Sequence, residues 1–93
     1  MLDVAIVAGE NGERAEQLIA LAGRGIPICS EKPLATTLDD LARVRAAVEK
    51  AKVKLTMLLT MRYVGKYRTM RKLIAEGAVG EVGLVTSQKS YRF

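Results

Sequence analysis

The chain has 93 residues, 49% of them hydrophobic, and carries a net charge of +5. This is enough for one domain or part of one, and the apolar content excludes a disordered tail. The single cysteine, Cys29, excludes an internal disulfide framework and fits a reducing compartment, while one Cys and no His exclude a zinc site of the usual kind.

Residues 2 to 8, LDVAIVA, read as a strand. Apolar residues fall on both of its faces, which predicts a strand covered on both sides, as in parallel sheets. The turn GENGE follows, with Gly9, Asn11 and Gly12 as residues that tolerate tight bends. A helix is predicted from about 13 to 22, with Ala15, Leu18, Ile19 and Ala22 on one face. Gly23 and Gly25 supply its stop.

IPIC, residues 26 to 29, is a second short strand. Pro27 predicts an edge position, or pairing that begins after it. Thr36 or Thr37 then N-caps a second helix that carries Asp39 and Asp40 in its first turn, where carboxylates favour the helix dipole. Its apolar stripe is Leu38, Leu41, Val44 or Arg45, Val48 and Ala51. Residues 53 to 60, VKLTMLLT, form the third strand, closed by Met61, Arg62 and Tyr63. A third helix over about 66 to 76 turns Tyr67, Met70, Leu73 and Ile74 inward. A glycine-containing turn leads to a last strand over 81–93.

Strands alternating with helices predict an α/β fold with a parallel sheet. The carboxyl ends of parallel strands lie along one edge, where open α/β sheets bind their ligands. The segments 9–11, 30–33 and 61–63 each follow a strand, so they are expected to gather at that edge. The charged pair Glu31–Lys32 then has a reason: strand bodies stay buried while strand ends present polar groups to a cleft.

The order and spacing of several segments resemble the nicotinamide-dependent oxidoreductases of the Gfo/Idh/MocA type, related to glucose–fructose oxidoreductase, inositol dehydrogenase and the MocA proteins. The segments are VAIVAGEN, LIALAGRGIPICSEKPLA followed by Thr-x-x-Asp, MRY, KLIAEGAVGEVGLV and SYRF. The resemblance covers essentially the whole chain. It implies the second half of a Rossmann-type sheet over 1–80, and over 81–93 the first strand of an α/β substrate and oligomerisation domain. It also implies hydride transfer between NAD or NADP and a small sugar, polyol or related hydroxy or keto compound. Lys32 takes the place of the family lysine beside the nicotinamide ribose and the substrate hydroxyl, and is the catalytic candidate. Asn11, Glu31, Lys32, Pro33 and Arg62 map to the cofactor-binding positions, and the Lys32–Pro33 bond to one often cis in the family. The implied setting is a cytoplasmic homo-oligomer with no metal, no specific nucleic acid and no membrane partner; no apolar run approaches the roughly 20 residues of a membrane span.

Three departures accompany these matches. GENGER does not substitute for the family's Gly-x-Gly-x-x-Gly phosphate loop. The family's Asp-x-x-x-His segment is not found, and the chain has no histidine. Arg14 stands where many members have His. The resemblance therefore implies a partial chain, inactive in isolation. A non-catalytic remnant that folds or acts only in association with another chain is the alternative.

Plainer readings stand beside these. Taken alone, Lys32 reads first as a surface lysine paired with Glu31, an order that its strand-end position and the resemblance reverse. Asn11 reads equally as a turn residue, and Cys29 as a small buried hydrophobe. The net positive charge favours anionic partners. Arg62, Lys66, Arg68, Arg71 and Lys72 interleave with Tyr63 and Tyr67, a composition that also serves nucleic acid. The tyrosines follow the apolar stripe, however, which favours a helix with its cations in solvent.

Overall fold

The computed structural model describes residues 2–91. The chain divides into two compact units, Met1–Leu59 and Thr60–Phe93.

The first unit contains strands β1 (Ala5–Val7), β2 (Ile28–Ser30) and β3 (Leu55–Met57), with helices α1 (Arg14–Gly23) and α2 (Leu38–Ala51) between them. The sheet order is β1-β2-β3 and both pairings are parallel. The expected α/β class and co-directional strands are therefore present. Pro27 precedes the central strand. Its missing N–H costs the ladder nothing there, because pairing begins at Ile28, while its carbonyl accepts from Ala5 N at 2.9 Å.

Register explains which side chains are buried. Ala5, Ile28 and Leu55 form one row, and Val7, Ser30 and Met57 another, both on the helix side. The row between them, Ile6, Cys29 and Thr56, faces the opposite way. Two right-handed crossovers advancing in one direction put α1 and α2 on the same face. Val7, Ala15, Leu18, Ala22, Ile28 and Val44 form one buried cluster there. Among the described residues of this unit no helix packs on the other face, and Ile6 there is 72% exposed. The expectation that β1 is covered on both sides is thus corrected: its apolar residues do occupy both faces, but helices pack on one.

Helix ends follow local chemistry. Thr37 is the N-cap of α2, extended at φ −127°, and its hydroxyl accepts from Asp40 N at 3.1 Å. Gly25 follows α1 at φ +72°, a left-handed conformation that costs a residue with a Cβ. Glu16 on α1 and Arg43 on α2 form an ion pair at 2.6 Å, and Arg43 also bonds Asp40 at 2.9 Å. Within the α2 stripe the structure selects Val44 over Arg45, which is exposed and pairs with Glu49. Leu38 is 84% exposed and does not belong to the packed stripe. At 3.6 residues per turn it points about 120° away from Val44, whereas Ala47, Val48 and Ala51 lie within about 60° of it.

In the second unit a 3-10 turn, Thr60–Tyr63, leads into α3, Gly65–Ala75. The chain leaves that helix through Gly77 at φ +75°. The inward stripe expected on α3 is not buried: Tyr67 is half-buried, and Met70, Leu73 and Ile74 are exposed. Among the described residues of its own unit, α3 packs on the 3-10 turn. The last predicted strand is also corrected. Residues 81–91 form no strand, and among the described residues of that unit no second strand is present to satisfy their backbone groups. Arg92 and Phe93 lie outside the described residues.

Candidate functional site

The carboxyl ends of β1, β2 and β3 fall at one sheet edge, with Val7, Ser30 and Met57 in register as their last residues. Hydrogen bonding runs past the strand ends. Glu31 N donates to Val7 O at 2.8 Å, and Leu58 N donates to Ser30 O at 2.8 Å. Ser30 is fully buried, and its hydroxyl donates to Glu31 O at 2.9 Å. The backbone entering Glu31 is therefore anchored to both neighbouring strands just before the chain turns outward.

Lys32 and Pro33 follow and are exposed, while Glu31 is half-buried. The Lys32–Pro33 bond is cis, the isomer that the resemblance implies. No ion pair joins Glu31 to Lys32, and Lys32 makes no side-chain hydrogen bond among the described residues. The plain reading of this pair as a surface salt bridge is thus not realised.

The loop after β1 is held to this turn by Arg14, the first residue of α1. Its Nη1 donates to Pro33 O at 2.7 Å and its Nη2 donates to Gly9 O. The structure therefore brings together the turns at 9–11 and 31–33, as their strand-end positions predict. Asn11 is exposed in the turn preceding α1, with its carbonyl accepting from Arg14 N at 3.4 Å. Arg62 belongs to the second unit. It lines a surface cavity of about 320 Å³ with Met61, Tyr67 and Arg71.

Arg14 thus joins the two turns, although its place in the sequence marks it only as a departure from the family pattern. A signal for its burial was available. Arg14, Leu18 and Ala22 are spaced four apart, so the cation begins the same stripe that the two apolar residues continue. All three are at most 2% exposed.

A family profile described as oxidoreductase family, NAD-binding Rossmann fold (GFO_IDH_MocA), matches residues 1–59. The chain belongs to this family. The family's fold is NAD-binding, which agrees with the nicotinamide cofactor that the resemblance implied. Among relatives of the Gfo/Idh/MocA chain, 1,5-anhydro-D-fructose reductase of Ensifer adhaerens is 35% identical over 79 residues, which cover 85% of this chain and 24% of the reductase. The rhizopine catabolism protein MocA of Rhizobium meliloti is 27% identical over 85 residues, covering 91% of this chain and 27% of that protein.

Solved structures agree on the fold. Myo-inositol 2-dehydrogenase from Lactobacillus plantarum superposes with a TM-score of 0.83 at 18% identity, over 88% of this chain and 24% of the dehydrogenase. The WlbA dehydrogenase from Bordetella pertussis, solved with NADH and UDP-GlcNAcA, gives 0.77 at 31% identity, over 84% and 24% respectively. The chain thus spans about a quarter of the length of these relatives.

An NAD(P) group fits the donor set of the first unit. The sheet edge carries an exposed lysine ammonium, an exposed Asn side chain and a proline turn, all beside the ends of parallel strands. Among the described residues there is no cluster of metal-ligating side chains, and no helix is long and apolar enough to cross a membrane.

Proposed function

We propose that this chain supplies the nicotinamide-facing part of an oxidoreductase that transfers a hydride between NAD(P) and a hydroxyl- or keto-bearing carbon of a sugar, polyol or related compound. When bound, the nicotinamide supplies the two-electron chemistry. Lys32 is the catalytic residue: its ammonium donates a hydrogen bond to the reacting oxygen. In the oxidation direction the substrate carbon would give its hydride to the nicotinamide and its hydroxyl would release its proton to water, while the Lys32 ammonium stabilises the negative charge that develops on oxygen. In reduction the same group polarises the ketone.

Asn11, Glu31 and Pro33 line the cofactor side of this edge; Arg62, in the second unit, is a separate cofactor-binding candidate that rests on the resemblance alone. Residues 1–80 belong to the nucleotide-binding domain, and 81–93 open the substrate domain. One observation carries the reading: Lys32 leaves the sheet at the carboxyl end of a central parallel strand, the edge at which such sheets take their ligands. The sugar-related compounds in the names of the anhydrofructose reductase and of the WlbA complex support this substrate class. The assembled enzyme is a cytoplasmic homo-oligomer.

The test is titration of NADH and NADPH into the full-length protein, followed by turnover with myo-inositol, D-glucose and 1,5-anhydro-D-fructose. Cofactor binding, with turnover of at least one of these, is the expected result. Absence of binding to either cofactor overturns the proposal.

A further inference from the structure

Lys32 has no side-chain partner among the described residues, so only the backbone on either side of it orients its ammonium. On one side the Glu31 amide is fixed to Val7 O at 2.8 Å. On the other, the Pro33 carbonyl is held at 2.7 Å by Arg14. The same guanidinium donates to the Gly9 carbonyl in the loop after β1. These two carbonyls come from loops that follow different strands, and the bond to Pro33 spans 19 residues of sequence.

Arg14 is an expensive residue for this place. It is 2% exposed, it has no carboxylate partner among the described residues, and its Nε has no hydrogen-bond partner. Burying a cation without a counter-charge opposes folding, and a leucine would continue the Leu18–Ala22 stripe without that cost. What the guanidinium offers and a leucine does not is a planar fork of donors, wide enough to hold two carbonyls at once.

We infer that Arg14 is a positioning residue for Lys32: by clamping the Pro33 and Gly9 carbonyls together, its guanidinium fixes the root of the Lys32 side chain relative to the end of β1. The inference rests on the catalytic reading of Lys32 given above. A lysine ammonium rooted in a loosened turn still reaches solvent and still carries its charge, but it spends less time against the reacting oxygen. Misplacement by about 1 Å is enough to cost on the order of 10²-fold in rate.

The experiment is a set of full-length variants: Arg14→Gln and Arg14→Lys, each alone and combined with Lys32→Ala. Turnover is measured with NAD(P) and whichever of the three substrates above is active, and the carbonyl carbon resonances of Gly9 and Pro33 are recorded by NMR. Arg14→Gln is expected to lower kcat by about 10²-fold with KM changed by less than about twofold, and to move both resonances. That loss should vanish when Lys32 is already alanine, which a purely structural role would not produce. Arg14→Lys keeps the charge and most of the stem, so it carries the test if the glutamine variant does not fold; it is expected to lower kcat and move at least one resonance. Unmoved Gly9 and Pro33 resonances in folded Arg14→Lys, or an equal kcat loss in the Lys32→Ala background, overturn the inference. Undiminished turnover in Lys32→Ala alone sinks the reading of Lys32 instead, and the two carbonyl resonances then decide separately whether Arg14 holds the turn.

Discussion

The amide of Glu31 donates to the carbonyl of Val7 at 2.8 Å, one residue beyond the end of β2. This bond carries the parallel ladder to the edge of the turn, so Lys32 emerges from a backbone that the neighbouring strand still holds. Site and scaffold are continuous here, and the stability of the scaffold bears directly on the site.

Leu18 is fully buried in the cluster between α1 and the sheet. Leu18→Ala is expected to destabilise the chain by about 3 kcal/mol, from lost burial plus the residual cavity. Leu38→Ala, at a side chain 84% exposed, is expected to change stability by less than about 0.5 kcal/mol. Urea unfolding of both variants checks the contrast; equal effects would place the α2 stripe wrongly.

The Thr37 hydroxyl satisfies the Asp40 amide at the start of α2. Thr37→Ala is expected to cost about 1 kcal/mol. At the other end of α2, Lys52 closes the helix at φ +54°, a conformation that disfavours a side chain with a Cβ. Lys52→Gly is expected to raise stability by up to about 1 kcal/mol. Unfolding midpoints of the two variants should therefore move in opposite directions.

The Thr37 hydroxyl bonded to the Asp40 carboxylate, with the Arg43 guanidinium beside it, holds Asp40 below its ordinary pKa of 3.8. A carboxylate whose pKa is lower in the folded than in the unfolded chain contributes stability above the ordinary value, and that contribution is lost as pH falls through the folded value. Asp40→Asn is therefore expected to be less stable than the parent at about pH 6, with the gap closing towards about pH 3. Urea midpoints across that range test the sign. A gap that widens on acidification would contradict it.

Much of this fold was legible in the sequence because its elements are local. The stripe of Leu18 and Ala22 predicts α1, the threonine-aspartate start predicts α2, and three short apolar runs predict the strands. Their parallel pairing follows from the helices between them. Other features depend on long-range packing, which sequence spacing does not encode. Ile6 lies on the face opposite α1 and α2 because both crossovers turn the same way. Leu38 is excluded from the core by the angle at which Val44 docks. Residues 81–91 have strand composition but no partner strand among the described residues of their unit.

The site divides along the same line. Lys32 is legible from its place after an apolar run and from its Glu-Lys-Pro context. The role of Arg14 depends on two carbonyls, at Gly9 and Pro33, that only the folded chain brings within reach of one guanidinium. Its burial was readable from the spacing to Leu18, yet a charged side chain in an apolar stripe reads first as an exception.

The most direct measurement of the central claim is NAD(P)-dependent turnover in the full-length protein with Lys32 intact and with Lys32→Ala, followed by nicotinamide absorbance under saturating cofactor. The account predicts that the alanine variant binds NADH and loses about 10²- to 10³-fold in kcat, the range for removing one preorganised donor to a developing oxyanion. Undiminished kcat in a folded, NADH-binding Lys32→Ala protein would contradict it.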